Sequence, residues 1–426
     1  MSLVEVSPAG QFSLKISDIA PDKSISHRSV MFSMLANGVS SIDNFLRAED
    51  TMNSLEIVKN LGATVEDNGS TIKISSDGIK ESFEVLDCGN SGTGMRLFCG
   101  LLSSANGHFV LTGDKYLRSR PMKRVTTPLK NIGAKLDGRE DGDLAPLSIR
   151  GASLKAFDYN SKIASAQVKS CMILAALRAD GVCTYTEPEL SRDHTERMLK
   201  GMGAGIEVDG LKTTIKPMEN LLNPLTIRVP ADPSSAFFFA VAASIIPNAD
   251  ILLEGITLNP TRIEAFKALE RMGADISYEI TDNKYEPIGN IHVKYAPLKA
   301  ITVEDNISWL IDELPALSIA MACAEGKSLI KNAEELRVKE SDRISTVVEG
   351  LRACSIEVHE YKDGYSVVGG KLTSASVDSD GDHRIAMSFI IAGLKCGMKV
   401  SDLDCINTSF PNFFELLQKI TNIKIS

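Results

Sequence analysis

Two carboxylates, Asp312 and Glu340, stand where acid-base chemistry could be done, each with cations close by in the chain. Asp312 opens Asp312-Glu313-Leu314-Pro315, a pattern that equally suits a helix N-cap with proline near the first turn. Glu340 lies inside Arg337-Val338-Lys339-Glu340-Ser341-Asp342-Arg343, a compact run of mixed sign that also suits a surface ion-pair network. Three further segments could hold an anion. Lys23, in Pro21-Asp22-Lys23-Ser24-Ile25-Ser26-His27-Arg28, falls in a first helical turn, where the dipole disfavours a cation and an anion held there resolves the conflict. A solvated lysine beside an ordinary cap is the plainer alternative. Asp87-Cys88-Gly89-Asn90-Ser91-Gly92-Thr93-Gly94-Met95-Arg96 is a glycine-rich loop opening a helix, able to bring backbone N–H groups to a phosphate or carboxylate. It matches neither a Walker loop nor a dinucleotide fingerprint, and a simple turn would read the same way. Asp382-His383-Arg384, like the Arg343 segment, runs directly into an apolar helix. Cations at buried helix starts need counter-charges, and polyanionic small substrates would supply them. Arg118-Ser119-Arg120-Pro121-Met122-Lys123-Arg124 reads as a solvated charged face.

The elements that must position these groups come from 426 residues, 43% hydrophobic and 24% charged, enough chain for two cores. A net charge of −9 argues against nonspecific nucleic-acid or membrane binding, so an anionic partner must meet a local basic site. There is neither an apolar run of membrane-spanning length nor a basic segment leading into an apolar one near Met1, and the expectation is a cytoplasmic protein. The eight cysteines show no Cys-x-x-Cys and no histidine at zinc-ligand spacing, and they read as buried reduced thiols without a metal.

A phrase recurs: Leu61-Gly62-Ala63, Ile132-Gly133-Ala134, Met202-Gly203-Ala204 and Met272-Gly273-Ala274, the glycines 71, 70 and 70 residues apart. Each follows an amphipathic helical stretch (51–60, 125–131, 195–201 and 262–271) and precedes alternating strands, so the glycine reads as a helix stop. A weaker copy at Ala353-Cys354-Ser355-Ile356 and a degenerate one at Thr421 to Ile425 bring the count to six. A second set of helices, starting at Lys23, Gly92, Ser165, Asp232, Asp312 and Asp382, runs into stretches apolar nearly all round, which predicts burial. The period is long for a solenoid and suits α/β subdomains assembled into globular domains. The main boundary falls just before Asp232: residues 1–20 with 232–426 form a discontinuous domain carrying the acid-base carboxylates, and 21–231 an inserted one.

Taken in order, Lys23-Ser24-x-Ser26-x-Arg28, Gly89-Asn90-Ser91-Gly92-Thr93-x-Met95-Arg96, Arg120-Pro121-Met122, Ser165-Ala166-Gln167, Asp312-Glu313-x-Pro315, Arg337 to Arg343, Asp382-His383-Arg384-x-Ala386-Met387 and Ser409-Phe410-Pro411 resemble the EPSP synthases from Lys23 through Phe413. Gly113-Asp114-Lys115, Ser165 to Lys169, Arg192 to Glu196 and Asn259-Pro260-Thr261-Arg262 resemble the class II branch. The resemblance implies two inside-out α/β domains, each of three β-α-β-α-β-β units. It implies transfer of the enolpyruvyl group of phosphoenolpyruvate to the 5-hydroxyl of shikimate 3-phosphate, a step towards chorismate and the aromatic amino acids. Lys23, Ser24, Arg28, Ser165, Gln167, Arg192, Asp312 and Lys339 would hold shikimate 3-phosphate. Lys23, Gly92, Arg120, Gln167, Arg343 and Arg384 would hold phosphoenolpyruvate. Glu340 would handle the methylene proton, Asp312 the hydroxyl proton, and Lys23 the leaving phosphate. The better-known branch has Ser-Ser-Gln where this chain has Ser165-Ala166-Gln167, and a lysine before Phe-Pro where this chain has Thr408-Ser409.

Acid-base groups and fixed cations suffice for such a reaction, so the expectation is no metal, no organic cofactor and a monomer acting on small molecules. The sister enzyme that transfers enolpyruvate to UDP-N-acetylglucosamine usually places a reactive cysteine before Arg-Pro. Here Asp114 to Ser119 precede Arg120-Pro121 without one, and Lys23 is followed by serine and not asparagine. A noncatalytic anion binder on the same scaffold would keep Lys23 and Arg28 but have no need of Asp312 and Glu340.

Overall fold

The computed structural model describes residues 2–282 and 286–426. The chain divides into two compact units, Pro21–Val229 and Met1–Ala20 with Pro230–Ser426. Among the described residues each unit carries three four-stranded sheets, and all six follow one plan. An edge strand runs parallel to its neighbour; that neighbour is antiparallel to a third strand, which is antiparallel to the fourth. Leu86–Asp87, His108–Thr112, Leu144–Arg150 and Lys135–Gly138 illustrate it. Six copies of one α/β unit, three per domain, is the fold class expected from the repeat.

The recurrent glycine ends the outer helices as its spacing predicts. Gly62, Gly133, Gly203 and Gly273 take φ of +98, +101, +92 and +101°, where only glycine is unstrained. The following amide then reaches back five residues, Ala63 to Val58 and Ala134 to Leu129 at 3.0 Å each, in a Schellman cap. The fifth copy keeps the geometry without the glycine: Ser355 sits at φ +63° and Ile356 bonds the Leu351 carbonyl at 3.0 Å. In the sixth, Ile423–Ile425 pairs with Leu3–Val6, so the sheet takes one strand from the other end of the chain.

Inside each unit three helices pack together with sheets and amphipathic helices around them. Every residue of the Pro233–Ile245 and Leu314–Ala322 helices is buried, as is His383–Cys396 through Leu394. In Pro21–Val229 the inner helices are Lys23–Ser33, Gly92–Leu102 and Ala166–Ala176. A Cβ on Gly100 would stand 2.1 Å from the Cys171 carbonyl oxygen, so the last two cross with backbone against side-chain-free backbone. All eight cysteines are free thiols, five of them buried, and burial pushes Cys99 and Cys354 up to about 12. Among the described residues no helix is long and apolar enough to cross a membrane.

Ser355→Gly removes the strain of a side chain in the left-handed region, partly offset by the added freedom of the unfolded chain. It should stabilise the protein by about 0.5–1 kcal/mol, whereas Gly273→Ala should destabilise it by about 1–2 kcal/mol. Thermal unfolding measured on both variants checks the pair: the melting temperatures should move in opposite directions.

Candidate active site

Asp22 opens the Lys23–Ser33 helix by accepting the Ile25 amide at 2.9 Å, which leaves Lys23 in the first turn. Lys23 Nζ meets Asp50 Oδ2 at 2.5 Å, and Asp50 lies buried in the first turn of the Glu49–Asn60 helix. The anion beside Lys23 is therefore one of the protein's own, in place of the solvated lysine that the sequence equally allowed. Arg28, one turn on, is buried and donates from Nε to Thr195 Oγ1 at 2.7 Å, from Nη2 to Ser170 Oγ at 2.9 Å and from Nη1 to the Ser24 carbonyl at 3.1 Å. Between them His27 joins two neighbours, with Nδ1 2.8 Å from Ser54 Oγ and Nε2 3.2 Å from Ser91 Oγ. Burial, then Lys23 and Arg28, hold its pKa well below the usual histidine value, so the ring is neutral.

Ser91 Oγ also accepts the Gly94 amide at 2.9 Å and so starts the Gly92–Leu102 helix. Beside this start lies Arg120, buried, with Nη1 donating to the Asn90 carbonyl at 3.3 Å. A Cβ on Gly92 would stand 2.9 Å from three guanidinium atoms of Arg120, so the bare backbone there is occupied ground and not open space. The charged face read at 118–124 divides accordingly, Arg118 and Lys123 exposed and Arg120 inside. Ser165 caps the Ala166–Ala176 helix through the Val168 amide at 3.5 Å. Gln167 donates to Thr93 Oγ1 at 2.9 Å and accepts from Arg96 Nη1, which ties this helix start to the Gly92 one. Arg192 stands directly before Asp193, the N-cap of the His194–Gly201 helix.

In the other unit the polar groups converge on Arg343, the first residue of the Arg343–Ala353 helix and 1% exposed. Its guanidinium donates to Glu340 Oε2 at 2.5 Å, to Asp382 Oδ2 at 2.7 Å and to Asp312 Oδ1 at 3.1 Å. Burial opposes the charge, yet Asp382, Glu340 and Asp312 outweigh it and hold the Arg343 pKa above its ordinary value. Asp312 lies one residue outside its helix, whose N-cap is Glu313, and also accepts from Lys339 Nζ at 3.3 Å. Asp382 caps the His383–Cys396 helix through the Arg384 amide at 2.8 Å. The Arg384 guanidinium sits over the Phe238 ring, 5.8 Å from its centroid, and forms no ion pair with any described residue although Arg384 is buried.

The expected site residues thus fall into two groups, Lys23, Ser24, Arg28, Gly92, Arg120, Ser165, Gln167 and Arg192 in one unit and Asp312, Lys339, Glu340, Arg343 and Arg384 in the other. The sequence alone does not single out Asp50, Ser170, Thr195 or the anionic role of Asp382. An acid in the first turn of the Glu49 helix was visible as a pattern, but nothing in the sequence pairs it with Lys23. Among the described residues no cluster of His, Cys, Asp and Glu is gathered as a metal site would require.

The model of the family described as EPSP synthase (3-phosphoshikimate 1-carboxyvinyltransferase) matches residues 8–417. The chain is 79% identical over 426 residues to a 3-phosphoshikimate 1-carboxyvinyltransferase of Sulfurimonas denitrificans, covering all of both chains. A Nitratiruptor protein of the same description is 62% identical over 430 residues, with 100% of this chain and 99% of the relative covered. The solved EPSP synthase of Acinetobacter baumannii superposes with a TM-score of 0.88 at 39% identity, both chains covered entirely.

A neutral His27 makes the protein acid-sensitive in a definite window. Its folded pKa is depressed, so the stability it confers is present above the unfolded value of about 6.5 and is lost as pH falls towards the folded one. His27→Gln should be less stable than wild type at pH 8, and its stability should fall less steeply below pH 6.5, by up to about 1.4 kcal/mol per pH unit. Urea unfolding of both proteins across that range reads the difference; parallel curves would mean that folding does not depress the His27 pKa.

Proposed function

The chain belongs to the EPSP synthase family, and from that premise we propose that it transfers the enolpyruvyl group of phosphoenolpyruvate to the 5-hydroxyl of shikimate 3-phosphate, releasing phosphate. One observation carries the chemistry: Asp312 and Glu340 both bond the single buried guanidinium of Arg343, so two carboxylates that can move protons are held at one cation. A noncatalytic anion binder has no use for that pair. The net charge of −9 supports small molecules as its partners, and the reading is of a single chain at work in the cytoplasm.

The reaction adds the acceptor hydroxyl to C2 of the donor as a proton reaches the methylene carbon. The tetrahedral adduct then gives up a proton from that carbon as the C–O bond to phosphate breaks. Two proton movements call for positioned acid-base groups, and the departing phosphate for fixed cations. The reading gives Asp312 the hydroxyl proton, Glu340 the proton to and from the methylene carbon, and Lys23 the leaving phosphate. Ser24, Arg28, Ser165, Gln167 and Arg192, with Lys23, Asp312 and Lys339, are assigned to shikimate 3-phosphate. Lys23, Gly92, Arg120, Gln167, Arg343 and Arg384 are assigned to phosphoenolpyruvate. Arg384 supports its own assignment, since a buried guanidinium that lies over an aromatic ring and forms no ion pair with any described residue is short of an anion. Lys23 and Arg343 already have carboxylates, so a substrate anion would enter there by exchange of partners, which limits the cost of stripping water from the cation.

Phosphate should be released only when both substrates are present. Glu340→Gln and Asp312→Asn should each lower kcat by about 10²-fold or more while the fold, followed by circular dichroism, is kept. Near wild-type turnover in either variant would remove that carboxylate from the chemistry. Gly92→Ala puts a methyl against the Arg120 guanidinium, which has to move. Glyphosate, the donor-mimicking inhibitor of this enzyme family, is slightly longer than phosphoenolpyruvate and should lose about 1–3 kcal/mol more than the donor does. The ratio of Ki to KM in wild type and variant measures it, and an unchanged ratio would dissociate Gly92 from the length of the donor pocket.

A further inference from the structure

Behind the Ser165–Gln167 segment lies a buried ion triad for which the proton chemistry has no use. Lys169 is 1% exposed and sits in the first half of the Ala166–Ala176 helix. Its Nζ is 2.7 Å from Glu187 Oε1, 2.8 Å from Glu196 Oε1 and 3.2 Å from the Ser191 carbonyl oxygen. Both glutamates are buried, and Glu187 turns its other oxygen to accept the Ser191 hydroxyl at 2.6 Å. One ammonium therefore fastens the Ala166–Ala176 helix to the 187–191 loop and to the His194–Gly201 helix.

Burial alone would discharge Lys169, but Glu196 and Glu187 outweigh it and favour the charged form. For Glu196 the balance goes the other way, burial outweighing Lys169 and raising the carboxyl above its ordinary value. Two carboxylates sharing one cation out of water is a costly way to hold a core together, and apolar side chains of similar volume often do it as well or better. What the triad specifies is position. Ser191, gripped by carbonyl and hydroxyl, is the residue before Arg192. Glu196 follows Thr195 and Lys169 precedes Ser170, and the Thr195 and Ser170 hydroxyls, 2.6 Å apart, are the two that receive Arg28. The two helices are thus cross-linked twice in adjacent layers, ionic below and hydroxyl above, with Arg28 seated on the upper one.

We propose that Lys169, Glu187 and Glu196 are positioning residues that set the affinity for the phosphorylated acceptor by aiming Arg28 and Arg192. The inference rests on the assignment of those two arginines to shikimate 3-phosphate.

Calorimetric titration of the full chain with shikimate 3-phosphate, alongside steady-state kinetics, tests it. Lys169→Met and Glu187→Gln should each weaken acceptor binding about tenfold or more and raise the acceptor KM in step, as loss of an orienting partner does elsewhere. The KM for phosphoenolpyruvate and kcat at saturation should stay within about threefold of wild type. Folded variants that melt earlier yet bind the acceptor within about twofold of wild type would make the triad merely structural and overturn the proposal. An equal loss for acceptor and donor would overturn it as well. Should Lys169→Met not fold, Glu187→Gln, which keeps the volume and one carbonyl acceptor, decides alone. Failure of the wild-type chain itself to bind shikimate 3-phosphate is a separate result: it overturns the functional reading and the proposal with it.

Discussion

A cation taken out of water is stabilised by an anion within hydrogen-bonding reach, and at a helix N-terminus the need is sharper because the dipole already disfavours the charge. Lys23 and Arg343 occupy that position in the two units, each in the first turn of its helix. The chain meets the requirement internally, with Asp50 for the first and with Asp382, Glu340 and Asp312 for the second. Much of the surrounding structure follows from keeping those carboxylates in place. Asp382 can serve Arg343 because it also caps the His383 helix, and Asp50 can serve Lys23 because it rides in the first turn of the Glu49 helix.

The inner helices make this concentration of charge possible. Their polar residues lie mostly in the N-terminal halves and the rest of each helix is apolar, so three N-termini brought together gather side chains that are far apart in the chain. In the Pro21–Val229 unit the gathering is direct, through His27 to Ser91 and Gln167 to Thr93. Such a site is stiff, and it is assembled from hydroxyls, amides and charges whose partners lie on neighbouring helices.

The sequence shows the repeat more readily than the partners. Gly62, Gly133, Gly203 and Gly273 can be found because one backbone conformation demands one residue type, and the all-apolar helices because nothing else is buried on every side. Ser355, which adopts that conformation without being glycine, shows how far the sheet and helix around it can enforce a local geometry. The cationic residues of the site are likewise legible, since a lysine or arginine beside a helix start is conspicuous. Glu340, three residues before Arg343, is legible as its ion-pair partner, but the counter-charges distant in the chain are not. Asp50 has the same local pattern as any acid in a first turn, and nothing in the sequence brings it to Lys23. Arg120 fails to stand out for the opposite reason: its neighbours Arg118 and Lys123 face solvent, and composition averages over all three.

The strand Leu3–Val6 belongs to the last sheet, between Met398–Ser401 and Ile423–Ile425, and Ser13–Ile16 pairs with Asp250–Thr257. Residues 21–229 form a contiguous stretch with its own sheets, the last of its strands, Thr226–Arg228, closing beside Ser40–Asp43. During synthesis that stretch can finish folding as soon as it has left the ribosome. Leu3–Val6 cannot, because its partners lie at 398–401 and 423–425, far beyond that stretch in the chain. That strand stays without its sheet partners until residues 398–401 and 423–425 have been made, long after the inserted stretch is free to fold.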